Sequence, residues 1–231
     1  MRVLVIDNNI DPRCWGASDL RRYSALFPGA TFEVRRAPQQ DLPADPKYYD
    51  RIIYSGSFTC ILDDEIWISE LMDFTKRALS EKVPTLGVCY GHQLLIRVLN
   101  GKESVGRAKT PEFGWAEIEI LNQSTLLQGL PKRFHSFASH YDEAFEVPRG
   151  GIHLARSKDC PHQAFEVSGE PIFGIQFHPE KDLIDAEISH KEHLQKKNKH
   201  PFLNAKQGHA LYNPEIGQII FKNFLSLRSS R

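Results

Sequence analysis

The residues best suited to covalent chemistry lie in Gly87-Val88-Cys89-Tyr90-Gly91, a cysteine between two glycines, with the apolar run Thr85 to Val88 before it and a helical stretch after it. A turn this tight from strand to helix excludes side chains at the flanking positions. It also pushes the nucleophile out at the C-terminal edge of the sheet, where open α/β sheets bind ligands. The sulfur then sits at a helix N-terminus, whose partial positive charge favours thiolate. Such a thiolate needs a proton carrier and a group to orient it. The stretch Phe173-Gly174-Ile175-Gln176-Phe177-His178-Pro179-Glu180 contains both. His178 ends an apolar strand, and Glu180, two residues on, leaves the same face of an extended backbone, where its carboxylate can fix the imidazole tautomer. Pro179 keeps the stretch from turning helical. A third stretch, Tyr54-Ser55-Gly56-Ser57, is a small-residue turn at the same sheet edge, able to aim backbone N–H groups at a developing oxyanion. Each feature alone also has a structural reading: a buried cysteine in a βα turn, a satisfied His–carboxylate pair, a plain loop. Together they describe a cysteine-dependent amide hydrolase.

The elements that must position these groups follow from hydrophobic period. Val3 to Ile6, Thr31 to Val34, Arg51 to Tyr54 and Thr85 to Val88 read as short strands. Between them, residues 18–26, 64–79 and 92–99 have helical spacing, the last stopped by Asn100-Gly101. This alternation implies βαβ units and a doubly wound, mostly parallel sheet between two helical layers. The second half predicts strands at Trp115 to Ile120, Phe134 to Ala138, Ile152 to Ala155, Gln163 to Val167 and Ile172 to Phe177. Their short connections point to antiparallel additions. Residues 181–213 form a charged insertion, predicted as a surface helix and then a loop. Pro214 opens a last helix with an apolar stripe.

Composition limits the function classes. The 231 residues suit a single α/β domain spanning 1–231. Lys+Arg and Asp+Glu both number 29, a balance that argues against a nucleic-acid or membrane-surface partner. No apolar run is long enough for a membrane span or a signal peptide. The four cysteines, Cys14, Cys60, Cys89 and Cys160, show no regular spacing, as expected of free thiols in a reducing cytoplasm. His190 with His193, and Cys160 with His162, lack the ligand count of a zinc motif, so neither metal nor cofactor is expected.

Gly87-Val88-Cys89-Tyr90-Gly91-His92-Gln93 resembles the G-x-C-x-G-x-Q box of the class I glutamine amidotransferases, and Phe177-His178-Pro179-Glu180 resembles their H-P-E box. Ser139-His140-Tyr141-Asp142 is similar to the S-H-x-D segment of the subgroup that includes the glutaminase part of GMP synthase. Ser57 and Phe58 stand where that family usually has a second glycine and a proline. The resemblance implies a three-layer flavodoxin-like fold with Cys89, His178 and Glu180 as catalytic triad. It implies an oxyanion hole from the backbone of Gly56, Ser57 and Tyr90, and a substrate site from Gln93, Ser139, His140 and Tyr141. The implied reaction is glutamine hydrolysis through a γ-glutamyl thioester, with ammonia passed to a separate synthase or acceptor protein. Some relatives of this fold are instead stand-alone γ-glutamyl peptidases. Segment 181–213 would then serve as a docking surface or a lid, with docking favoured because it carries few apolar anchors.

Overall fold

The computed structural model describes residues 1–11 and 16–227, so Cys14 lies outside the described residues. The chain runs β1 (Arg2–Asp7), α1 (Gly16–Arg21), β2 (Thr31–Arg36), β3 (Arg51–Tyr54), α2 (Ile66–Ser80), β4 (Thr85–Val88), α3 (Tyr90–Asn100), β5 (Val105–Ile120) and β6 (Arg133–Ala144). It continues through β7 (Gly151–Arg156), β8 (Ala164–Val167), β9 (Ile172–Ile175), α4 (Leu183–Gln195), β10 (Phe202–Leu203), α5 (Gly208–Leu211) and α6 (Pro214–Leu225). One sheet takes the order β10-β5-β7-β8-β9-β4-β3-β1-β2, with β6 paired to β5 outside that path. β2, β1, β3, β4 and β9 are mutually parallel, and β9-β8-β7-β5-β6 are antiparallel.

Strand alternation builds two cores, one on each face of the sheet. Val3, Val5, Ile53, Leu86 and Val88 pack with Leu20 of α1 and Ile220 and Phe224 of α6. Leu4, Ile6, Ile52 and Tyr54 pack with Leu71 and Phe74 of α2 and Leu94 and Leu95 of α3. The central strands β3, β4 and β9 are buried along their whole length, which explains their unbroken apolar character. β4 and β9 lie side by side, with Gly87 opposite Gly174 and Val88 opposite Ile175. The two strands that lead to Cys89 and His178 are therefore direct neighbours. Gly101, at a φ of 103°, ends α3 as expected.

The second half departs from the sequence reading in extent. β5 and β6 are longer than predicted, and the ladder between them shifts register between Arg107 and Glu112, at a bulge beside Pro111. A proline cannot donate to the ladder, so the apolar pattern breaks there although the strand continues. The segment Ser139 to Asp142 consequently lies within β6. Residues 181–213 also differ from a charged helix followed by a loop. They form α4, β10 and α5, anchored by a small third core of Trp115, Phe137 and Ala186 with Leu183, Phe202, Leu211 and Tyr212. β10 pairs with β5 at Phe113 and Gly114, and Asn204 Nδ2 donates to the Trp115 carbonyl at 2.8 Å. Among the described residues no helix is long and apolar enough to cross a membrane.

Candidate active site

Cys89 caps the N-terminus of α3 with φ 51° and ψ −104°, a backbone conformation that L-residues adopt at a cost. Its own N–H donates to the Ile175 carbonyl at 2.8 Å, which ties the turn to β9. The flanking glycines are required by space. A Cβ on Gly87 would overlap the Gly91 backbone, and one on Gly91 would come within 2.6 Å of Tyr54 Cβ. This is the tight strand-to-helix turn expected from the sequence.

His178 comes from the segment after β9. Its N–H donates to the Phe137 carbonyl at 2.7 Å, and its Nδ1 faces Glu180 Oε1 at 2.6 Å. The pair forms across a turn rather than along extended backbone, since Lys181 N–H reaches back to the His178 carbonyl at 3.3 Å. Proline at the second position of the turn accounts for the difference. With Nδ1 engaged, Nε2 is the nitrogen left for the Cys89 thiol, whose sulfur is close enough to act electrostatically on the ring. Burial pulls the imidazolium down, but the Glu180 carboxylate and the Cys89 sulfur outweigh it and raise His178 to about 10. Burial likewise lifts the Glu180 carboxyl, and His178 overcomes that and leaves it below its usual range. The turn is held from behind by Tyr23, whose hydroxyl donates to the Pro179 carbonyl at 3.0 Å, and by Lys181, bonded to Asp19 at 2.5 Å.

Gly56 closes the third side. A Cβ there would stand 2.8 Å from His178 Cε1 and 3.5 Å from Cys89 Cβ, so the β3 loop runs against both groups. Asn8, just past β1, secures that loop: its N–H donates to Ser55 Oγ at 3.0 Å and its Nδ2 to the Ser55 carbonyl at 2.8 Å. Sequence reasoning assigned Asn8 no part. Its signal was only its place at the productive end of β1. Ser57 lies in the same loop, and Tyr90 opens α3 with its side chain buried against Trp67.

A cavity of about 300 Å³ opens over the sulfur, lined by Ser57, Gln93, Ser139, His140 and Tyr141 among others. All four residues expected to hold substrate therefore border it. They contribute differently. The Gln93 Nε2 group is already engaged, donating to the Asp142 carbonyl at 2.8 Å and to Gln176 Oε1 at 3.1 Å, so it fixes β6 against α3. The Ser139 carbonyl lies 3.9 Å from Cys89 Sγ. The His140 imidazole is bonded to Glu112 at 3.2 Å. Tyr141 is half exposed, edge-on to Phe113, and accepts a hydrogen bond from Asn198 at 2.6 Å. The far wall comes from the insertion: Ser189, Glu192, His193, Lys196 and Asn198 line the same cavity, and Lys196 Nζ lies 5.9 Å from the centre of the Phe58 ring. The sequence reading missed this wall because nothing local to 187–200 shows which way that helix faces.

Residues 21–194 match the family model for class-I glutamine amidotransferases. The chain is 43% identical over 111 residues to one subunit of a glutamine-hydrolysing GMP synthase from Thermococcus kodakarensis, a match covering 48% of this chain and 54% of that one. It is 37% identical over 152 residues to the corresponding subunit from Saccharolobus solfataricus, covering 66% and 77%. Several of these relatives are thus matched over about half their length. Among solved structures, a glutamine amidotransferase from Thermotoga maritima superposes with a TM-score of 0.79 at 23% identity, covering 97% of this chain and 96% of that one. A glutamine amidotransferase from Methylobacillus flagellatus superposes with a TM-score of 0.81 at 20% identity, covering 100% and 96%. At those identities the structural likeness establishes the fold.

Proposed function

The chain belongs to the class-I glutamine amidotransferase family, and from that premise we propose that it hydrolyses the side-chain amide of glutamine through a γ-glutamyl thioester on Cys89. The observation that carries the reading is the convergence at one sheet edge of a strained cysteine, a buried imidazole and its carboxylate. In this reading the Cys89 sulfur attacks the amide carbon, and the electrons of the carbonyl move onto its oxygen. The backbone N–H groups of Ser57 and Tyr90, with Gly56 giving close approach, stabilise that oxyanion. His178, carrying a proton and oriented by Glu180, delivers it to the departing nitrogen, and ammonia leaves. His178 then takes a proton from water as the water attacks the thioester, which releases glutamate and restores the thiol. The whole chain, residues 1–231, acts as one catalytic domain.

A cavity of about 300 Å³ sits at the small end of ligand sites, which suits a free amino acid better than a peptide. The insertion 181–213 roofs that cavity, and its small apolar core supports a lid or specificity wall in place of the docking surface expected from its charge. The relatives named as subunits of a glutamine-hydrolysing synthase support an acceptor of the ammonia on a separate protein. Cys60, Cys89 and Cys160 are free thiols, in keeping with a reducing cytoplasm.

The test is incubation of the purified chain with glutamine, following glutamate and ammonia, beside γ-glutamyl dipeptides and the Cys89→Ala variant. Glutamate from glutamine, lost in the variant, is the expected result. Turnover of the dipeptides in preference to glutamine would overturn the substrate assignment.

A further inference from the structure

Away from the nucleophile, a second set of polar side chains is buried between β5, β6 and the turn joining β7 to β8. Glu112 of β5 is 2% exposed, His140 of β6 is 4% exposed and Cys160 of the turn is fully buried. One carboxylate oxygen, one imidazole nitrogen and the sulfur lie within 4.8 Å of one another, and Glu112 Oε2 is 3.2 Å from His140 Nε2. Glu143 of β6 is also buried, and its Oε2 has no hydrogen-bond partner. Two carboxylates and a thiol thus share a water-poor site in which their one ion-pair partner among the described residues is His140. Buried charge of one sign is costly unless a cation balances it.

We propose that Glu112, His140 and Cys160 bind one zinc-class divalent cation, with the remaining position of the ion left to water. The donor chemistry fits: thiolate, imidazole and carboxylate are the zinc ligands, and bonds of about 2.0–2.3 Å put neighbouring ligands about 3.3–3.6 Å apart in a tetrahedral site. The Glu112–His140 edge already has nearly that length. Outer contacts that orient the first ligand are in place as well: Ser157 Oγ donates to Glu112 Oε1 at 2.7 Å and Gln163 Nε2 to Oε2 at 2.7 Å. On binding, the thiol proton passes to solvent and the sulfur bonds the metal. The ion joins the paired strands β5 and β6, where Glu112 lies opposite His140, to the turn between β7 and β8, and it steadies the strand carrying Ser139 and Tyr141 without touching the reacting atoms.

The probe is cobalt(II) titrated into the metal-free chain, read by the thiolate-to-cobalt charge-transfer absorption in the near ultraviolet. A variant with Cys14, Cys60 and Cys89 changed to Ser, which leaves Cys160 as the sole thiol, should still show the band at one equivalent. Cys160→Ser should lose it. Glu112→Gln, which keeps the shape, should weaken binding about 10–100-fold, as loss of a ligand or its orientation does. Zinc should raise the unfolding temperature of the parent and not of Cys160→Ser. Absence of the band, or a band that follows Cys89 and survives Cys160→Ser, would overturn the proposal. Glutamine hydrolysis is a separate measurement, so either result leaves the triad reading standing or falling on its own test.

Discussion

At the scale of single residues, the candidate site depends on how little space surrounds Cys89. Gly56→Ala would put a methyl group 2.8 Å from a ring that cannot retreat, because Glu180 holds its other side at 2.6 Å. The expected outcome is a loss of about 10²-fold in kcat/KM, the scale of an ångström-sized misplacement, with unfolding temperature little changed. Glu180→Gln should cost roughly one to two orders of magnitude less than His178→Ala, since orientation is a smaller contribution than proton transfer; steady-state glutamate release measures both. The imidazole also sets a pH dependence. Folded, His178 keeps its proton up to about 10, against roughly 6.5 unfolded. Its contribution to stability is therefore complete below ~6.5 and is lost as pH climbs through about 10. Denaturant midpoints of the parent should fall faster over that window than those of His178→Gln. His92 acts in the opposite sense. Fully buried against Phe165, its imidazole is pulled down to about 3 by desolvation. Stability from that residue is complete above ~6.5 and drains as pH falls toward 3, so His92→Gln should flatten the acid limb of the same curve. At this scale the convergence of Cys89, His178 and Glu180 was legible in the sequence, because glycine and proline mark backbone constraints directly. Asn8 was not, since an asparagine after a strand carries no sign of the loop it will hold.

At the scale of elements, the parallel half of the sheet was readable and the antiparallel half only partly. β1, β3 and β4 are apolar on both faces, so short runs marked them without knowledge of their partners. β5 and β6 face water along part of their length, and a proline-bearing bulge interrupts the alternation, so their true extent depends on pairing the sequence does not display. The same holds for α4. Its apolar contacts, Leu183 and Ala186, make sense only against Trp115 and Phe137 from strands far away in the chain. Trp115→Ala should loosen this third core by about 3–5 kcal/mol. Its kinetic signature should be a raised KM for glutamine with a smaller change in kcat, because the wall it supports borders the cavity and not the sulfur. An unchanged KM would remove α4 from substrate binding. The proposed metal ligands show the same limit, since Glu112, His140 and Cys160 are adjacent only through the strand order.

At the scale of the whole molecule, the two large cores and the small third one differ in how much they bury. Hydrogen exchange should therefore be slowest in β1, β3, β4 and β9 and fastest in the span from α4 to α5, which opens first; uniform protection across both would contradict this. The neighbouring positions of β4 and β9 have a further consequence. The strands that lead to Cys89 and His178 lie one strand spacing of about 4.8 Å apart, whatever the length of the eighty-odd residues threaded between the two positions. Covalent continuity across that detour is then dispensable. A backbone cut at the exposed Arg149-Gly150 turn should yield two pieces that stay associated and still release glutamate.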